Sequence, residues 1–198
     1  MVIFIIYALI VFLFGSIPTG YIIGKKAAGV DIRKLGSGNI GSTNVKRILG
    51  KKAAVITQVI DMAKGLVPVL IAKYTYQYIN VPFSKEEFIS LLAIIVIIGH
   101  DFTPFLNFKG GKGVNTTAAA FLAVAPIPTL MAGAVYIFMK FFTNIVSIKS
   151  LTIALVITIA SILLGYDISI ILSAAAAELL IIIRHKENIK RLIMKQES

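Results

Sequence analysis

The chain has no cysteine, only two histidines, and nine acidic residues among 198. Without cysteine there is no disulfide, no thiolate nucleophile and no cysteine-ligated zinc. His100 and His185 give no metal-ligand spacing, and nothing in the sequence implies a metal or cofactor. Charged residues make up 15% of the chain, against about 25% in soluble domains, while 58% is hydrophobic and the mean hydropathy is +0.90. That balance excludes an ordinary soluble domain. The net charge of +11 does not indicate nucleic-acid binding, because no basic face or reading helix fits between the apolar runs. The N-terminal apolar stretch lacks the basic flank and small-residue cleavage site of a signal peptide and reads as a retained first helix.

Apolar runs of membrane-spanning length recur along the chain. They predict an all-α integral membrane protein, a single domain over residues 1–198. Seven spans are expected, at about 2–24, 53–73, 88–100, 114–125, 126–142, 151–165 and 168–183. Pro18, within GSIPTG, predicts a kink in the first span that neighbouring polar groups can accommodate. The fourth span is short for a crossing of about 30 Å. Asp61 and Lys64, three residues apart in the second span, share a helical face and predict a neutralising pair. His100 reads as a structural residue bonding backbone near Pro104.

Seventeen of the twenty Lys and Arg fall in four polar segments: residues 25–52, the FKGGKG loop at 108–113, residues 140–150 and the tail from Arg184. The positive-inside rule places all four in the cytoplasm, the N-terminus outside and the C-terminus inside, which seven crossings satisfy. The tail is basic and amphipathic, with Ile189, Leu192 and Ile193 able to lie on the bilayer surface.

Residues 31–52, DIRKLGSGNIGSTNVKRILGKK, are the longest stretch that cannot enter hydrocarbon. Glycine lets a backbone bring its N–H groups close to a ligand. Successive N–H groups make an anion site, and Arg33, Lys34, Lys46 and Arg47 add charge. The loop is therefore expected to bind phosphate at the mouth of a membrane protein. Residues 36–41 match G-x-G-x-x-G, but a membrane span precedes them in place of the strand that the dinucleotide fingerprint requires. In KGGKG, Leu106 and Gly113 occupy positions where a Walker loop has Gly and Ser or Thr. No Walker-type ATP site exists there, though Lys112 can still hold phosphate.

GSIPTGYIIGK, LGSGNIGSTNVKRILGKK, GHDFTPFLNFKGGKGV and IIRHKENIKRL occur in this order among the spans. With them the chain resembles, over essentially its whole length, the acyl-phosphate:glycerol-3-phosphate acyltransferases of bacterial phospholipid synthesis (the PlsY type). The resemblance implies acyl transfer from acyl phosphate to position 1 of sn-glycerol 3-phosphate in a bacterial cell membrane, giving lysophosphatidic acid and phosphate. It implies functional positions at Ser37, Arg47, Lys112, Ser150, His185 and Asn188, and no obligate protein partner. The His-x-x-x-x-Asp signature of other acyltransferases is absent, since Phe105 and Lys190 stand where Asp would be.

The chemistry agrees with this. Two phosphorylated substrates bring roughly three to four negative charges, so cations and hydroxyls must converge. Ser37 and the amides around Gly36, Gly38 and Asn39 are expected to hold acyl phosphate. Arg47 and Lys112 would neutralise phosphate, and Ser150, His185 and Asn188 would orient glycerol phosphate. Either His185 or a substrate phosphate could take the hydroxyl proton. The alternative is a transporter or channel for a phosphorylated anion. It is disfavoured because the polar elements gather at one face and no repeated halves are evident.

Overall fold

The computed structural model describes residues 1–197, which form nine α-helices and no strand. These are α1 Val2–Gly15, α2 Thr19–Ala28, α3 Ser42–Thr75, α4 Lys85–Asp101, α5 Val114–Val124, α6 Pro126–Met139, α7 Val146–Leu163, α8 Ile168–Arg184 and α9 Lys186–Ile193. The break between α1 and α2 falls at Pro18, as the sequence predicts, because proline has no N–H to continue the helix. The carbonyls at the break find donors inside the bundle: Thr103 Oγ1 donates to Ser16 O at 2.6 Å and Lys64 Nζ to Ile17 O at 2.8 Å. The polar segment before the second span is partly helical. It forms the first arm of α3, which turns at Gly50 through a φ of +82° that other residues rarely adopt.

Helix α4 is the axis of the bundle and touches α1, α3, α5 and α8. Its N-terminus carries a capping box: Glu87 N–H donates to Ser84 Oγ, and Ser84 N–H to Glu87 Oε2. Phe88, Leu92, Val96 and Ile97 are wholly buried along it, and Phe88 meets the rings of Phe4, Tyr7 and Tyr76. Asp61 and Lys64 pair at 3.0 Å deep in the bundle, as predicted. His100 departs from expectation. Its Nδ1 lies 3.8 Å from the Asp61 carboxylate and its ring packs on Gly111, in place of a backbone bond near Pro104.

The surface is apolar where a soluble protein would be polar. Ile5, Ile6, Leu9, Leu13, Leu155, Ile159, Leu172 and Leu179 are exposed, while Ser16, Thr57, Asp61, Lys64, Asp101, Thr116 and Ser161 are buried. This suits a bundle in lipid, where polar groups gain by facing one another. Four runs are long and apolar enough to cross a membrane: Val2–Ala28, Ser42–Tyr78, Lys85–Leu106 and Val146–Leu163. The pair α8–α9, bent by 63°, would be a fifth. Helices α5 and α6 have 11 and 14 residues, about 16 and 21 Å long, and a non-helical Ala125 separates them. Length alone therefore meets four or five of the seven expected spans.

The two ends of the bundle differ. At one end Tyr7 OH donates to Thr75 Oγ1, and Lys73 Nζ donates to Ala123 O, closing the end of α5. At the other end lie the first glycine loop, the FKGGKG loop, the start of α7 and the α8–α9 elbow.

Candidate active site

The first glycine loop is closed on Asn44. This side chain is buried, and its Nδ2 donates to the carbonyls of Ile32, Leu35 and Asn39 while its Oδ1 accepts from Ser37 N–H at 2.9 Å. Gly38 N–H donates to Leu35 O, and Gly41 N–H to Asn39 Oδ1. The amides of Ser37, Gly38 and Gly41 are thus committed within the loop, which differs from the expected nest of anion-facing N–H groups. Gly36 is required where it stands: its φ is +57°, and a Cβ would come within 2.3 Å of Asn44 Oδ1. The turn displays Ser37 on an exposed tip. Arg47 lies three residues beyond Asn44 in the first arm of α3. Asn115 at the start of α5 donates to Ser42 Oγ at 3.2 Å, joining this arm to the second loop.

The second loop lies flat on the end of α4. Gly110 N–H donates to Asp101 O and Gly111 N–H to His100 O, each at 3.1 Å. A Cβ on Gly111 would fall 2.0 Å from His100 Nε2. Only a bare backbone fits, and Lys112 emerges directly from it. Lys112 Nζ donates to Asn188 Oδ1 in α9. Burial is the largest influence on this amine and, helped by the charges of Arg191, Arg184 and Arg47, brings its pKa down to about 8 against the opposing Glu197 carboxylate. The charge of Arg47 therefore acts on Lys112 across the two loops.

His185 stands at the elbow beyond α8 and is buried. Its Nδ1 lies 2.8 Å from Ile181 O, and a carbonyl can only accept, so Nδ1 carries the proton and Nε2 the free lone pair. Burial chiefly, and the charge of Lys112, hold the imidazole near pKa 4, while the Ile181 carbonyl and Glu197 oppose them. The ring is accordingly neutral near pH 7.

At the start of α7, Ser147 and Ser150 are buried and one turn apart. Ser150 Oγ donates to Val146 O. Ser147 Oγ, Asn188 Nδ2 and Arg191 Nε all donate to the carboxylate of Glu197. Burial raises the pKa of this carboxyl, but the three donors outweigh it and hold the group below the usual range. Three segments, the second loop, α7 and α9, thus deliver Lys112, Ser147, Asn188 and Arg191 to one small volume in which a carboxylate already sits. Donors of this kind and number suit an anionic oxygen.

Of the residues singled out from sequence, Lys112, His185 and Asn188 come together, Ser150 lies a turn from Ser147, and Arg47 reaches them by its charge. Gly36, Ser37, Gly38 and Asn39 form a separate unit under Asn44. Asn39 there braces the turn through its own side chain. Sequence reasoning missed Asn44, Ser147, Arg191 and Glu197. Glu197 left one trace, as one of two acids, with Glu187, in a mostly basic tail.

The model of the family described as glycerol-3-phosphate acyltransferase matches residues 5–195. A glycerol-3-phosphate acyltransferase of Clostridium acetobutylicum is 50% identical over 198 residues, covering 100% of both chains. One from Endomicrobium trichonymphae is 42% identical, covering 100% of this chain and 96% of its own. A crystal structure of PlsY, an integral membrane glycerol 3-phosphate acyltransferase, in its glycerol 3-phosphate form, superposes with a TM-score of 0.90 at 34% identity. It covers 98% of this chain and 94% of that one. The lysophosphatidic acid form of PlsY gives 0.87 at 33% identity, with the same coverage. With a family model matched almost end to end and a full-length relative at half identity, the chain belongs to the glycerol-3-phosphate acyltransferase family.

Proposed function

We propose that this chain transfers a fatty acyl group from acyl phosphate to the 1-hydroxyl of sn-glycerol 3-phosphate. The hydroxyl oxygen bonds to the acyl carbonyl carbon, the bond from that carbon to the phosphate oxygen breaks, and lysophosphatidic acid and phosphate leave. Phosphate is a good leaving group, so no covalent enzyme intermediate is required. The observation that carries this reading is the convergence of Asn188, Ser147 and Arg191 on one carboxylate, with Lys112 bonded to Asn188 beside it.

Lys112 and Arg47 neutralise substrate phosphate, and the Ser37 hydroxyl contacts the acyl phosphate. Ser150, Asn188 and His185 orient glycerol phosphate. A base of pKa near 4 accepts a proton poorly at pH 7. A phosphate dianion, whose conjugate acid has a pKa of about 6, accepts it better. The substrate's own phosphate therefore takes the proton, and His185 directs the hydroxyl towards the carbonyl.

The chain works as one domain crossing the membrane seven times, with α5 and α6 as short crossings, the N-terminus outside and the site facing the cytoplasm of a bacterial cell. Support comes from the seventeen basic residues that lie in the segments at the polar end. Because the chain has no cysteine, any cysteine introduced is its sole label. Cysteines at Ser37 and at Lys109 should react with impermeant reagent from the same side, and one at Lys85 from the other.

Purified chain in detergent, given acyl phosphate and labelled glycerol 3-phosphate, should form labelled lysophosphatidic acid. Absence of product, with uptake of the label in sealed vesicles, would favour a transporter.

A further inference from the structure

Arg184, the last residue of α8, points its guanidinium at the second glycine loop. Its Nε donates to Gly111 O at 2.9 Å and its Nη2 to Gly110 O at 3.0 Å. The plane is steadied over the Phe102 ring, with 5.2 Å from Cζ to the ring centre. Two consecutive carbonyls taken by one fork is a geometry that the single point charge of lysine cannot reproduce. The N–H groups of the same two residues are bonded to the end of α4, with His100 O and Asp101 O as acceptors. The Gly110–Gly111 backbone is therefore bonded through its N–H groups to α4 and through its carbonyls to α8. Lys112 follows Gly111, and His185 follows Arg184. One side chain thus spans the gap between the two segments whose ends meet in the Lys112–Asn188 hydrogen bond.

We propose that Arg184 is a positioning residue for the reaction: its fork holds the second glycine loop in register with the α8–α9 elbow, so that Lys112 is presented to substrate phosphate. The fork itself contacts protein carbonyls. The inference rests on the reading of Lys112 as a phosphate ligand given under Proposed function. Nothing in it requires Arg184 to touch substrate.

The test measures KM for both substrates in the full chain, purified in detergent, for Arg184→Lys, Arg184→Gln, Lys112→Met and Arg184→Lys/Lys112→Met. Lys112→Met should raise one KM. Arg184→Lys should raise that same KM about tenfold and leave the other within about twofold. The double variant should be no worse than Lys112→Met alone, because a clamp has nothing to present once the lysine is gone. A fork lost only as fold support would instead lower the amount of active protein without moving one KM selectively. Should both single Arg184 variants aggregate, Arg184→Ala purified with methylguanidinium filling the vacated space replaces them. Its activity should fall when the methylguanidinium is dialysed away while its far-UV spectrum and elution volume stay unchanged.

Multiplying effects in the double variant, an unchanged KM in Arg184→Lys, or no response to methylguanidinium each overturns the clamp. A fully active Lys112→Met overturns the phosphate-ligand reading, and the clamp falls with it. The two failures are therefore told apart by which single variant is silent.

Discussion

The two glycine loops look alike in sequence, each with closely spaced glycines among basic residues, yet they fold by opposite means. The first is closed from within by Asn44, which ties three carbonyls and one amide of its own segment. The second has no such centre. It is laid on the end of α4, where Gly110 and Gly111 leave no room for a Cβ. The first loop consequently displays a hydroxyl, Ser37, on a self-sufficient turn. The second delivers a charge, Lys112, into a partly buried site made by other helices. Glycine content by itself therefore does not specify how a loop meets an anion.

Removing what each loop presents separates them most strongly. Lys112→Met leaves Asn188 and the substrate phosphate without their cation. Breaking one side of a buried charged hydrogen bond costs about 2–5 kcal/mol, so kcat/KM should fall at least about thirtyfold with the fold intact. Asn44→Ala should act on stability instead. Three carbonyls and an amide lose their partner at once, at about 1–3 kcal/mol for each group that stays buried and unsatisfied. The expected signature is a lowered Tm together with a loss of activity matching or exceeding that of Ser37→Ala. An Asn44→Ala chain of unchanged Tm would mean that the first loop does not depend on its own centre.

Ser37→Ala should be milder, reducing kcat/KM about tenfold through one lost hydrogen bond to a charged group, with Tm unchanged. A pH profile draws the finest distinction. Lys112 is charged below a pKa of about 8 in the free protein, so kcat/KM should decline as pH rises through about 8. Lys112→Arg stays charged throughout and should flatten that limb, whereas Ser37→Ala should keep it. With its pKa near 4, His185 should add no limb between pH 5 and 7.

Much of this architecture was legible in the sequence because it follows from local rules. Hydropathy predicts helices in lipid, Pro18 predicts the break after α1, and the spacing of Asp61 and Lys64 predicts their pair. Lys112 stood out as a lysine in a glycine loop, whereas His185 and Asn188 were singled out through the resemblance to the acyltransferase family. The destination of the first loop's amides was not legible. A glycine turn signals that N–H groups are turned aside, but not that Asn44, seven residues on, supplies an oxygen for Ser37. Glu197 was hidden for a similar reason. Its partners Ser147, Asn188 and Arg191 meet only after α7 and α9 pack, and no periodicity records that meeting.

The central claim is that Lys112 and Asn188, brought from separate segments, act together on one substrate phosphate. Calorimetric binding of glycerol 3-phosphate to the full chain in detergent tests this most directly, with wild type compared with Lys112→Met, Asn188→Ala and the double variant. The account predicts about tenfold or greater weakening in each single variant and a double variant weaker than either by much less than their product. Wild-type affinity in either single variant, or losses that simply multiply, would contradict it.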